Sequence, residues 1–129
     1  MDSGAIRRWL ALGTSVFTAS AILALASPAT AHAAPTQCEG RKVRTLTFST
    51  GSVKIYKQGG YLCAITVPKD PGTHRRMTVS VHARGLHAVE DTGLYAYRAG
   101  PVTVHVGHQP VLISGRVGRD SKSTGWTRF

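Results

Sequence analysis

Five histidines, His74, His82, His87, His105 and His108, are the side chains of this sequence best suited to chemistry, because imidazole ligates metals and moves protons near neutral pH. His82 and His105 stand on the polar side of two alternating stretches, Met77 to Ala83 and Val102 to Val106. If those stretches were neighbouring strands, the two rings could share a zinc or copper ion, with Asp91 or His87 as a third ligand. A site assembled from separate strands leaves no spacing signature, so solvated histidines are the plainer reading. Ser80, His82 and Asp91 have the types of a nucleophilic triad, yet residues two apart on a strand lie roughly 7 Å apart, too far for a direct Oγ–imidazole bond. No Gly-x-Ser-x-Gly elbow occurs, and Ser114-Gly115 lacks its second glycine. The acids beyond residue 33 are Glu39, Asp70, Glu90, Asp91 and Asp120, all in expected loops or tails, which is a poor supply for paired carboxylates across a cleft. The expectation is no catalytic residue, no cofactor and no metal.

Two cysteines, Cys38 and Cys63, complete the reactive inventory, and neither has a second cysteine or histidine at ligand spacing. In an exported chain two cysteines can pair only with each other. Such a bridge would tie the segment before the first strand to the first hairpin and stabilise the fold by about 3 kcal/mol on the chain-entropy model.

Export is what the N-terminus predicts. Arg7 and Arg8 precede an uncharged stretch, Trp9 to Ala26, and Ala31-His32-Ala33 offers the small-x-small pattern that signal peptidase reads. The stretch approaches membrane-spanning length, so an uncleaved anchor is the competing reading. Pro28, the small residues Ala29, Ala31, Ala33 and Ala34, and the lack of a charged stop favour cleavage. The expected cut lies between Ala33 and Ala34, with Ala29-Thr30-Ala31 as the alternative. The surroundings of Arg7-Arg8 fit the twin-arginine route poorly.

Residues 1–33 therefore read as a signal-peptide helix, 34–118 as a single secreted β domain and 119–129 as a basic flexible tail, with no transmembrane segment left after cleavage. Beyond Ala33 fourteen basic side chains face five acidic ones, a net charge of +9. That balance suits polyanions such as cell-wall or spore-surface polymers, and it also serves plain solubility. Lys54, Tyr56, Lys57 and Tyr61 interleave cations with aromatics as single-stranded nucleic-acid binders do, but export from the cell argues against nucleic acid.

The elements that must position these residues are short strands. Val43 to Ser49 reads as a first strand, and Val53–Lys57 with Tyr61–Val67 as a hairpin about Gln58-Gly59-Gly60. Met77 to Ala83 is the clearest period-two segment. Gly85 to Gly93 reads as a loop, Leu94 to Arg98 and Val102 to Val106 as strands, Val111 to Val117 as the last. Six to seven short strands with turns at this spacing predict an all-β fold, a small antiparallel β-sandwich or barrel.

The run Asp91-Thr92-Gly93-Leu94-Tyr95-Ala96-Tyr97-Arg98-Ala99-Gly100-Pro101-Val102-Thr103-Val104 resembles the spore-associated protein A-like small secreted proteins of filamentous actinobacteria. Their pattern is Asp-x-Gly-x-Tyr-x-x-Tyr-Ala-Gly-Pro-Val-x-Val. It is matched here at Asp91, Gly93, Tyr95, Ala99, Gly100, Pro101, Val102 and Val104, with Tyr97 one place out of step. The hairpin Val53 to Val67 with Cys63 is similar to the family's cysteine-bearing strand. Where relatives tend to carry a further cysteine, after Gly107, Gln109-Pro110 stand instead. Physically, Gly93 is expected to open a turn, the tyrosines to pack an edge, and Gly100-Pro101 to reverse the chain. The resemblance implies a place outside the cell or at a spore surface, and no activity.

The sequence thus leads to a non-catalytic secreted protein that holds to an extracellular or spore surface. The alternative is a protease inhibitor presenting the loop Pro68 to Arg76, with Arg75 or Arg76 offered to a trypsin-like pocket.

Overall fold

The computed structural model describes residues 37–129, so the leader and the cut at Ala33/Ala34 lie outside the described residues. Eight strands follow in order: β1 (Arg41–Phe48), β2 (Gly51–Gln58), β3 (Tyr61–Pro68), β4 (Arg75–Ala83), β5 (Val89–Tyr95), β6 (Ala99–His105), β7 (Val111–Val117) and β8 (Asp120–Thr127). They form two four-stranded antiparallel sheets, ordered β1-β2-β3-β6 and β5-β4-β7-β8. Two sheets face to face make a sandwich, the first of the two all-β architectures expected.

Strand alternation explains the core. Val53 and Ile55 of β2, Leu62 and Ala64 of β3, Met77, Val79 and Val81 of β4, and Val111, Ile113 and Val117 of β7 are all buried between the sheets. Burial of each valine, leucine, isoleucine or methionine among them is worth roughly 1.5–3 kcal/mol against leaving it in water. Two small features let the sheets close at the centre. The buried Thr66 hydroxyl of β3 donates to the Thr78 carbonyl oxygen of β4 at 3.0 Å, so its polar atom is satisfied across the interface. Gly115 of β7 lies where a Cβ would collide with Val53 Cγ2 and Thr66 Oγ1.

Three expected elements differ. The segment read as a flexible tail is β8, paired along β7 from Val117↔Asp120 to Val111↔Thr127. None of its residues is buried, so apolar alternation could not announce it. Its turn is the two-residue Gly118-Arg119, with Gly118 at φ 66°, a conformation that costs glycine nothing. The expected loop Gly85 to Gly93 ends early, because Val89–Tyr95 pairs with β4 as β5. The strand expected over Leu94 to Arg98 is instead the end of β5 followed by a bend. Eight strands result where six to seven were expected.

Candidate functional site

The motif residues gather where β5 meets β6 across the open edge between the sheets. Asp91 pairs with Val79 and Gly93 with Met77, so Asp91, Gly93 and Tyr95 share the inward face of β5. Gly93 does not open a turn. Its missing side chain makes room for the Tyr95 ring, since a Cβ there would stand 2.9 Å from Tyr95 Cζ. The ring lies back along its own strand, and its hydroxyl donates to Asp91 Oδ1 at 2.5 Å. Asp91 Oδ2 accepts from the Gly100 backbone N–H at 2.8 Å, which joins β5 to β6.

Gly100 and Pro101 do not reverse the chain either. They stand in β6, joined by a cis peptide, at a register shift opposite the Ala64–Thr66 stretch of β3. Gly100, at φ 90°, lies where a Cβ would be 3.0 Å from Val79 Cγ1. Ala99 and Val102 are buried and Val104 packs against the core, whereas Tyr97 is exposed and packs no edge. The phenol of Tyr95 is held above its ordinary value, first by the hydrogen bond to Asp91, then by burial and by the charge of that carboxylate. This arrangement is a structural clasp: one Asp91 oxygen holds Tyr95 on its own strand and the other holds the Gly100 N–H of β6.

The histidines do not converge. His82 lies on β4 and His105 on β6, strands of different sheets. His82 pairs with Leu112, next to Trp126 of β8, and packs against the Trp126 ring at 5.1 Å between centroids. The Arg84 guanidinium stands over the same indole at 4.9 Å. His105 instead packs edge-on to Tyr61 at 4.8 Å. Ser80 pairs with Glu90 and Ser114, and Asp91 is taken up in the clasp, so the serine, histidine and aspartate share no site. Arg75 and Arg76 lie in β4, paired with Tyr95 and Leu94. They thus stand in a strand rather than at the tip of the loop from which the inhibitor reading would present them.

The cations do converge. Arg41, Lys42 and Arg44 lie on β1, Lys54 and Lys57 on β2, Arg119 in the β7–β8 turn, Lys122 on β8, and Arg128 just after it. β1 and β8 are the edge strands of their sheets and lie against each other. Lys122 Nζ donates to the Thr47 carbonyl of β1 at 3.4 Å, and Lys57 Nζ to the Phe129 carbonyl at 2.7 Å. Ser49 donates to the Asp120 carboxylate across the same line. Eight of the fourteen cations beyond Ala33 thus flank one edge of the sandwich, accompanied only by Glu39 and Asp120 of the five acids. The β1–β2 part was visible in the sequence, but β8 was missed, and the two-residue Gly118-Arg119 turn was the signal that could have found it.

Beside this edge, on the outer face of the first sheet, the Cys38–Cys63 disulfide folds the segment before β1 back onto β3, a bridge of sequence separation 25. Gln37, Glu39, Tyr56, Gln58, Tyr61 and Thr103 line a groove of about 170 Å³ around it. Lys42 pairs with Tyr56, which pairs with Cys63, which pairs with Thr103, so the four side chains form one row. Lys54 stands on the same face two residues from Tyr56. The cationic hairpin with two tyrosines read from the sequence is therefore a real surface, except that Lys57 points to the other side.

No family model, curated protein or solved structure matches this chain.

Proposed function

We propose that this is a secreted, non-catalytic protein that holds to an anionic polymer at an extracellular or spore surface through the cationic edge formed by β1, β2 and β8. The observation that carries the reading is the convergence of eight cations from chain segments 71 to 75 residues apart along one seam. Like charges gathered in this way raise the local concentration of polyanions and repel the compact state, so their clustering favours a binding edge over uniform solubility. The N-terminal pattern of Arg7-Arg8 before an uncharged stretch, the likeness to spore-associated protein A relatives and a disulfide compatible with an oxidising medium support the location.

The test is retention of the chain on purified cell walls as salt is raised. Arg41→Ala, Lys42→Ala, Arg44→Ala and Lys54→Ala together are expected to weaken retention at least about 100-fold, since a cation near an anionic surface is worth about 1 kcal/mol. The control removes equal charge elsewhere, at Lys69, Arg75, Arg76 and Arg98, and is expected to weaken it far less. Equal losses from both sets, or retention indifferent to salt, would defeat the reading. Fractionation of a tagged chain among medium, spores and cytosol tests the location.

A further inference from the structure

We infer that the groove beside the disulfide seats one sugar ring of an anionic glycan, with Lys42 and Lys54 taking the acid group carried by that ring or its neighbour. The inference rests on the polyanion reading and narrows it from charge to chemistry. A pyranose has an apolar C–H face and a rim of hydroxyls. The groove offers both complements: the rings of Tyr56 and Tyr61 for the face, and the Gln37 and Gln58 amides, Glu39 and Thr103 for the rim. Each amide carries a donor and an acceptor, as adjacent hydroxyls require. The polar lining disfavours a purely apolar guest, and about 170 Å³ is below the roughly 300–1,000 Å³ of drug-sized sites, which restricts the groove to a single ring.

The platform is built in advance. His105 pairs with Tyr61 and packs edge-on against its ring. That contact is possible because Gly60 has no side chain; a Cβ there would stand 2.9 Å from His105 Nε2. The opposite wall, Gln37 and Glu39, flanks Cys38 and is tied by it to β3. Fixing both walls before binding removes an ordering cost that a loose segment would bring. Neither lysine lines the groove, but Lys42, on β1 directly beside Tyr56, lies on its side toward the cationic edge, and Lys54, on the same face two residues along β2, lies next to Tyr56 away from Gln58. A polymer of charge without rings could satisfy the lysines and leave the tyrosines idle.

The experiment titrates the purified, oxidised protein with a heparin-derived hexasaccharide and with inorganic polyphosphate of matched charge. Tyr61→Ala is expected to weaken the hexasaccharide about 10-fold or more, the worth of a lost aromatic platform, and to change polyphosphate less than about 2-fold on the same scale. Tyr61→Phe, which keeps the ring, is expected to restore hexasaccharide binding. Tyr61 is half exposed at the hairpin, so the variants should fold, and an unchanged melting curve checks that. In amide NMR spectra the hexasaccharide should shift Gln58, Tyr61 and Thr103. Loss of both ligands alike with Tyr61→Ala, or of neither, overturns the groove and leaves the cationic edge standing. Failure of both ligands to bind the unaltered chain overturns the two readings together.

Discussion

The sandwich has two open sides, and they are closed by opposite means. Where β5 meets β6, one carboxylate joins the strands by accepting from Tyr95 and from the Gly100 N–H, over glycines that permit the close approach. Where β1 meets β8, two links are exposed, Ser49 to Asp120 and Lys122 to the Thr47 carbonyl, and two are part-buried like those of the clasp, Thr50 to the Val117 carbonyl and Lys57 to the Phe129 carbonyl. That side also carries the eight cations, whose mutual repulsion opposes closure. On that side β1 is braced by the disulfide, which reaches from before β1 past β2 to β3. The difference teaches a division of labour. One side is closed by a single carboxylate shared between strands, whereas the cationic edge, with its exposed bonds to Asp120 and Lys122, is braced covalently as well.

The largest expected effect comes from removing that brace. Replacing Cys38→Ser and Cys63→Ser together should lower stability by about 3 kcal/mol, read as a lower urea midpoint. Hydrogen exchange should show β1 and β2 losing protection before β5 and β6. Equal loss in all four strands would mean that the two sides are not separately maintained.

Next is the clasp. Asp91→Ala leaves the Gly100 N–H and the Tyr95 hydroxyl without their acceptor, and a hydrogen bond to a charged group is worth about 2 kcal/mol. Urea unfolding of this variant should show a loss of that size, with β5 and β6 the first strands to lose protection. The clasp also has a pH signature. Because Asp91 holds the Tyr95 phenol above its ordinary value of 10.0, the folded chain keeps this proton longer than the unfolded one. The contribution is therefore complete below about pH 10 and fades as pH rises through the folded value. Stability curves measured from pH 8 upward should fall for the unaltered chain, and Tyr95→Phe should remove this component of the fall.

The legible parts of the sequence and the missed ones divide along similar physical lines. β3, β4 and β7 bury several apolar side chains each, so their alternation announced them, and Gly59-Gly60 announced the β2–β3 turn. β5 and β8 bury none of theirs; an edge strand whose inward positions are Asp91, Gly93 and Tyr95 has no apolar rhythm to detect. The motif residues were recognised, but Gly93 and Gly100-Pro101 were read as turns, because glycine and proline mark turns far more often than they make room for a neighbouring ring or strand. Side-by-side placement of distant segments was out of reach: nothing local separates His82 from His105, or brings Lys122 to Thr47. Charge was visible as composition, while its concentration on one edge depends on β8 being a strand.

The smallest stability effect should fall on the wet side, and it tests the division of labour most directly. Asp120 is the carboxylate of β8, and its partner Ser49 is exposed, so the bond competes with water on equal terms. Asp120→Asn should cost no more than about 0.5 kcal/mol, the usual scale for surface electrostatics. The same change removes an acid from the cationic edge and should strengthen salt-sensitive retention on cell walls severalfold. Stability and retention then move independently, as they must if this side exists for binding. A loss of about 2 kcal/mol, equal to that of Asp91→Ala, would instead make the β1–β8 side a second clasp, with its cations merely lying alongside.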